Sequence, residues 1–165
     1  MTISLELQRI YASAPDAEQI WETLELRHPL FSQYWFITNT SLPFSANLET
    51  GQLVDFICLP FTAKLPGANS GGTQDLQISI DNVDREIIME LERAAQNPRQ
   101  QIVLIYRAYA STDLSAPGSD PIALSISDIS ASLTRVDATA SRTDVLNRAF
   151  PSILYEVDIF PGLDR

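Results

Sequence analysis

The chain is poor in the residues that most reactive chemistry needs. Its 165 residues include one cysteine, Cys58, one histidine, His28, and one lysine, Lys64. A single cysteine excludes an internal disulfide and any zinc or iron–sulfur site built on thiolates. Cys58 stands in the apolar run Phe56-Ile57-Cys58-Leu59 and reads as a small buried hydrophobe, a reactive thiol being the alternative. A single histidine excludes a histidine-based metal centre. His28 precedes Pro29 at the end of a strand pattern, which suits a structural or surface role. Ser-His-Asp hydrolysis also lacks its Gly-x-Ser-x-Gly turn. Gly71-Gly72 is followed neither by Lys-Ser/Thr nor directly by a helix pattern, so it is no phosphate loop. No Asp-x-Asp-x-Asp-Gly calcium loop occurs. The expected catalytic, cofactor and metal residues are therefore none.

Positive charge is also scarce. Lys and Arg total 11 against 21 acidic residues, for a formal net charge of −10. Such a chain repels phosphate, which disfavours direct nucleic-acid binding and anionic membrane surfaces. The same charge supports solubility. Long hydrophobic runs are missing. The uncharged stretch Pro29 to Leu48 contains Ser, Gln, Asn, Thr and Pro43 and is too polar to span a bilayer, so no membrane insertion is expected. Met1 to Glu6 lacks the basic start and apolar stretch of a signal peptide.

What is present is a foldable core. Apolar residues make up 45% and charged residues 19% of the chain, enough for one globular domain over residues 1–165. Ser4 to Ala14 has Leu7, Ile10, Tyr11 and Ala14 at helical spacing, and Pro15 ends it. Strand patterns dominate from there. Glu18 to Arg27 sets Ile20, Leu24 and Leu26 against Trp21, Thr23 and Glu25. Tyr34 to Thr38 and Gln52 to Leu59 are further strands, with Ser41 to Glu49 expected as a loop between them. After Pro60, Phe61 to Leu65 reads as an edge strand. Pro66 to Thr73 is a surface loop, or one that orders against a partner.

The most informative block runs from Gln74 to Arg85. Leu76, Ile78 and Ile80 alternate with Gln77 and Ser79, and the strand feeds a helix. Asp81 is the expected helix N-cap, with Asp84 three residues later as its acidic capping partner. A carboxylate pair is the less favoured reading. Ile87, Ile88, Leu91 and Ala94 or Ala95 form the expected buried stripe, with Glu86, Glu90 and Glu92 in solvent and Asn97-Pro98 as the end.

Gln101 to Tyr109 is the strongest strand. It is apolar on both faces near its centre and therefore expected to be central and covered on both sides. Arg107 within it reads as a strand-end surface residue or an ion-pair partner. After the loop Ala110 to Pro121, a strand from Ile122 slips phase at Asp128, which predicts a bulge. Thr134-Arg135 turns it into Val136 to Ala140, completing a hairpin. Asp144 to Arg148 suggests one helical turn, and the apolar tail Phe150 to Leu163 is expected to pack down.

Two weaker chemical readings stay open. Glu22, Glu25, Asp55 and Asp128 could supply a glycosidase carboxylate pair, although a solvated sheet face is favoured. Trp21, Tyr34, Trp35 and Phe36 could stack a sugar in a carbohydrate-binding β module, although core packing is favoured.

Three sets of residues carry a family resemblance. They are Tyr11 to Pro15 with Thr23 to Pro29, then Asp75 to Arg85, then Asp144 to Pro151 with Phe160 to Leu163. Together they resemble an uncharacterised tail-tip family of long-tailed phages, carried as a domain of unknown function. The layout is similar, more loosely, to the amino-terminal part of the lambda minor tail protein L family. With one cysteine, this chain is not expected to carry that family's iron–sulfur region. The resemblance implies a non-enzymatic virion component, assembled in the host cytoplasm as a homo-oligomer, with a trimer favoured. Its implied partners are the distal tail ring and the central fibre or hub protein. The expected fold is α+β, mainly β: an antiparallel, partly closed β-barrel, tail-hub-like, with one packed helix and a short N-terminal helix.

Overall fold

The computed structural model describes residues 3–13, 18–64, 75–81, 85–95, 100–132 and 134–141. The first element is helix α1 (Leu5–Ser13), followed by β1 (Ile20–Arg27), β2 (Trp35–Thr38), β3 (Phe44–Asn47), β4 (Leu53–Cys58) and β5 (Phe61–Lys64). Then come β6 (Asp75–Asp81), helix α2 (Arg85–Ala95), β7 (Val103–Ala110), β8 (Ile122–Ala131) and β9 (Arg135–Ser141). The domain is mainly β, as expected.

The strands form one sheet in the order β3-β4-β2-β1-β7-β8-β9-β6-β5. The expectation of an all-antiparallel sheet needs correcting. β2 and β4 pair in parallel, with Ile37 opposite Ile57, so the sheet is mixed. The cause is β3, which lies in the stretch expected to be a loop. Its Phe44 faces Phe56 and its Ala46 faces Val54, and that pairing turns β4 back into the direction of β2. β3 is held by these partners rather than by its own weak strand propensity.

No pairing joins β3 to β5 among the described residues, so the hydrogen-bonded order is open. The chain nevertheless links its two ends. Leu59 N–H donates to Thr38 O of β2 at 3.0 Å, and Asp81 N–H of β6 donates to Pro60 O at 2.9 Å. Two adjacent residues thus bond to strands that have β1, β7, β8 and β9 between them along the order. The sheet must curl to allow this. One cluster of buried side chains fills its concave side, with Leu24, Ile37, Phe61, Ile78, Leu104 and Ile126 contributed by six different strands.

Both helices add to that cluster. Ser4 caps α1, its Oγ accepting from Leu7 N–H, and Leu7 and Ile10 point inward. Tyr11 does not follow the expected stripe and is exposed, because only these two side chains of α1 meet the sheet side of the helix. Ile87, Leu91 and Ala94 of α2 pack as expected. Glu90 does not stay in solvent. The β1–β2 connection folds over it, and Ser32 donates to its carboxylate from N–H at 3.2 Å and from Oγ at 2.6 Å.

β7 sits in mid-sheet and is buried from Leu104 to Ala110. The register of β8 against β9 shifts between Ile126 and Asp128, where the sequence predicts a bulge. β5 is an edge strand. The loop 66–73, the helix end at Asn97-Pro98, the turn Asp144–Arg148 and the tail 150–163 lie outside the described residues. No helix among the described residues is long and apolar enough to cross a membrane.

Candidate functional site

Charged groups converge at one place on the convex side of the sheet. β1 and β7 are antiparallel neighbours, with Thr23 opposite Arg107 and Glu25 opposite Ile105. Strand alternation turns Thr23, Glu25, Arg107 and Tyr109 away from the main core. They are not solvated, because the β3–β4 hairpin lies over them. Thr23, Glu25, Arg107 and Tyr109 are each 0% exposed. The expectation that Glu25 lies on a solvated face is therefore corrected.

The hairpin turn is tight. Gly51 N–H donates to Leu48 O at 2.9 Å, and Leu48 N–H donates to Gln52 O at 2.8 Å. Gly51 adopts φ +79°, a conformation that glycine reaches without a Cβ clash. This turn presents Glu49 to Arg107. Arg107 donates from Nε to Glu49 Oε2 at 2.8 Å and from Nη2 to Glu49 Oε1 at 2.9 Å, a two-pronged pairing. Its Nη1 donates to Glu25 Oε2 at 2.7 Å. The other oxygen of Glu25 accepts from Arg27 Nε. Arg27 in turn lies over the Tyr34 ring at 5.2 Å.

Signs alternate along Glu49, Arg107, Glu25 and Arg27, so the cluster is neutral. Burial, the largest single influence, acts to lower the pKa of Arg107, but its hydrogen bonds to Glu49 and Glu25 together with their negative charges raise it overall. The hydrogen bond from Arg107 holds the Glu49 carboxyl below its usual value against the opposing effect of burial. Burial pushes Tyr109 up to about 12, and its hydroxyl donates to Asn47 O at 3.1 Å. Aromatic rings wall the cluster in. Phe44 stacks on Phe56 with centroids 5.1 Å apart, and Phe56 meets Tyr109 edge-on at 5.9 Å. Every charge here is matched by a neighbour. The arrangement fastens a hairpin to a sheet.

The sequence candidates disperse. Glu22 accepts from Tyr106 Oη at 2.8 Å and from Asn39 Nδ2 at 3.1 Å. That bond and, above all, burial raise the pKa of Tyr106. Asp55 accepts from Ser45 Oγ, and Asp128 stands at the bulge. The four carboxylates do not meet. The aromatics part as well. Trp35 belongs to the main core, whereas Trp21 packs on Phe44 at 4.6 Å in the convex-side cluster. A shared sugar platform of the two tryptophans does not form. His28 is buried, accepting from Leu30 N–H through Nδ1 and meeting Gln100 O through Nε2, a structural role. Cys58 is partly exposed rather than buried: alternation in β4 puts it in phase with buried Val54 and Phe56, but it is the last residue of the strand.

Asp81 ends β6, and its carboxylate lies 3.7 Å from Arg135 Nε. Helix α2 begins at Arg85, and Asp84 lies outside the described residues. Glu49 is the contributor that sequence reasoning misses altogether. Its only signal is the turn pattern Glu49-Thr50-Gly51 ahead of β4.

Fold and cluster together define a mainly β domain in which ionised groups serve as internal fastenings. The chain belongs to the family described as Domain of unknown function (DUF1833), whose model matches residues 6–155. No curated protein matches it.

Proposed function

We propose that this chain is a non-catalytic structural component of the tail tip of a long-tailed phage. In this reading it links the distal tail ring to the central fibre or hub protein. It works as a homo-oligomer, with a trimer favoured, and resides in the virion after assembly in the host cytoplasm.

The observation that carries the reading is the set of sequence blocks, in order along the chain, that resemble the phage tail-tip family; the match to a family of unknown function over residues 6–155 overlaps them and is compatible with it. The physical properties suit the role. We read the curled sheet, with its Leu59–Pro60 corner bonded to both β2 and β6, as a partly closed barrel. Chain continuity at that corner resists shear between the sheet ends, which a part that transmits force needs. The paired charges of the Arg107 cluster stiffen the second layer. A net charge of −10 keeps the surface from adhering to DNA in transit.

The test is direct. Mass spectrometry of purified tails should find the chain in stoichiometric amount, and the flanking genes should encode a tape measure and a fibre. Light scattering on the purified chain should give about three times its 18.3 kDa. Its absence from purified tails would defeat the proposal.

A further inference from the structure

The outer face of β8, β9, β6 and β5 differs from that of β1 and β7. The convex-side cluster takes no residue from these four strands, so no second layer of that kind covers them among the described residues. They are adjacent in the sheet, and their outward side chains form two cross-strand rows. Thr62, Ser79, Asp137 and Ser130 stand opposite one another in the first row. Gln77, Thr139 and Asp128 form the second. These rows line an open groove of about 380 Å³. Ile78 and Ala138 also border it, but their side chains are buried in the main core, so the side chains it presents are polar. The bulge in β8 sets that composition. Ile126 faces Ala140, so in unbroken register Ser127 would face Thr139; the bulge brings the Asp128 carboxylate there instead. Ser79 Oγ and Arg135 Nε both donate to Asp137 Oδ1, at 2.6 and 3.1 Å, which fixes the second carboxylate. The side chains of Gln77, Asp128 and Ser130 make no hydrogen bond among the described residues.

We propose that this groove binds a neutral carbohydrate. Its side chains call for a ligand that donates and accepts side by side. Asp128 and Asp137 only accept, Arg135 only donates, and Gln77, Ser130 and Thr139 do both. Each sugar hydroxyl both donates and accepts, and a vicinal pair can reach the two oxygens of one carboxylate. Charge selects against anions. Two carboxylates against one guanidinium leave the lining net negative, and Asp81 lies 3.7 Å from that same Arg135. Phosphates and carboxylates are therefore repelled. An apolar ligand finds no apolar side chain to cover. No group of three His, Cys, Asp or Glu suited to a metal ion occurs among the described residues, so a divalent cation lacks a ligand set here. No aromatic ring lines the groove, so affinity rests on hydrogen bonds made in competition with water and is weak. The inference does not rest on the tail-tip reading, and its failure would leave that reading standing.

The full ¹⁵N-labelled chain is titrated with the methyl α-glycosides of glucose, galactose and mannose. At least one should move the amide signals of Ser79, Asp128, Asp137 and Thr139 and saturate with a Kd in the range of roughly 1–50 mM. Sodium phosphate, compared with sodium chloride at equal ionic strength, should leave those four signals in place. Asp128 is exposed and has no side-chain hydrogen bond among the described residues, so Asp128→Ala should keep the fold. It should weaken the response at least fivefold. Asp55→Ala, on β4 and outside the groove, should leave the affinity unchanged. Any of three results overturns the proposal: no movement of the four signals with any glycoside up to about 200 mM, an equal response to phosphate, or an affinity indifferent to Asp128→Ala.

Discussion

Arg107 and Glu25 meet at 2.7 Å with neither side chain exposed to solvent, and they stand on adjacent strands, β7 and β1. Taking two charges out of water is costly, and the cost is recovered only when each remaining polar atom finds a partner. Here Glu49 and Arg27 supply those partners from the hairpin turn and the strand end. The cluster therefore couples three segments far apart in sequence.

Removing one partner from this pair should be severe. Arg107→Met leaves Glu25 buried with only Arg27 beside it and is expected to destabilise the fold by roughly 3–5 kcal/mol. Glu25→Gln with Arg107→Met removes the stranded charge as well. The double variant should be more stable than Arg107→Met alone, a departure from additivity that urea denaturation of the four proteins measures.

Glu49 makes the same cluster sensitive to acid. Its pKa in the folded state lies below its ordinary value, chiefly because Arg107 donates to it. Between the two values the unfolded chain binds the extra proton, so stability rises with pH there. The contribution is complete above the unfolded value of about 4.5 and fades as pH falls through the folded value. Glu90 behaves alike, with Ser32 as the main cause. Midpoints of unfolding should fall from pH 5 downward. Glu49→Gln and Glu90→Gln should each flatten that decline while lowering stability at pH 7.

Gly51 isolates a purely conformational cost. A Cβ built there meets nothing within 4 Å, yet φ is +79°. Gly51→Ala should destabilise by about 1 kcal/mol through backbone strain alone. Gly51→Asn should cost less, since asparagine tolerates the left-handed region better. If the two variants prove equally stable, the turn does not hold this conformation in solution.

These features were not equally legible in the sequence. β7 stands out because its apolar residues fill both faces, and the slip at Asp128 marks the bulge, since alternation is a local property of one strand. The burial of Glu25 could not be read in that way. Alternation places it opposite Leu24 and Leu26, but what covers that face is the hairpin carrying Phe44 and Phe56. Only long-range pairing decides between water and a second layer. Arg107 held the one usable hint, a lone charge in a strand expected to be covered on both sides, which calls for a counter-charge without naming it. β3 stayed hidden because Ser41 to Asn47 shows no strand pattern of its own, and its order comes from β4.

The second layer should be separable from the main core. Phe56 is fully buried between Phe36, Phe44 and Tyr109, all on the convex side. Phe56→Ala removes the centre of that cluster and is expected to cost roughly 3–5 kcal/mol. β8 and β9 contribute no buried residue to it. Hydrogen exchange should therefore rise first in β3 and β4, at Phe44–Asn47 and Leu53–Cys58, while the β8–β9 amides keep their protection. Uniform loss of protection across all strands would mean that the two clusters unfold as one unit. In that case the Arg107 fastening would be part of the global core rather than a local clamp on the hairpin.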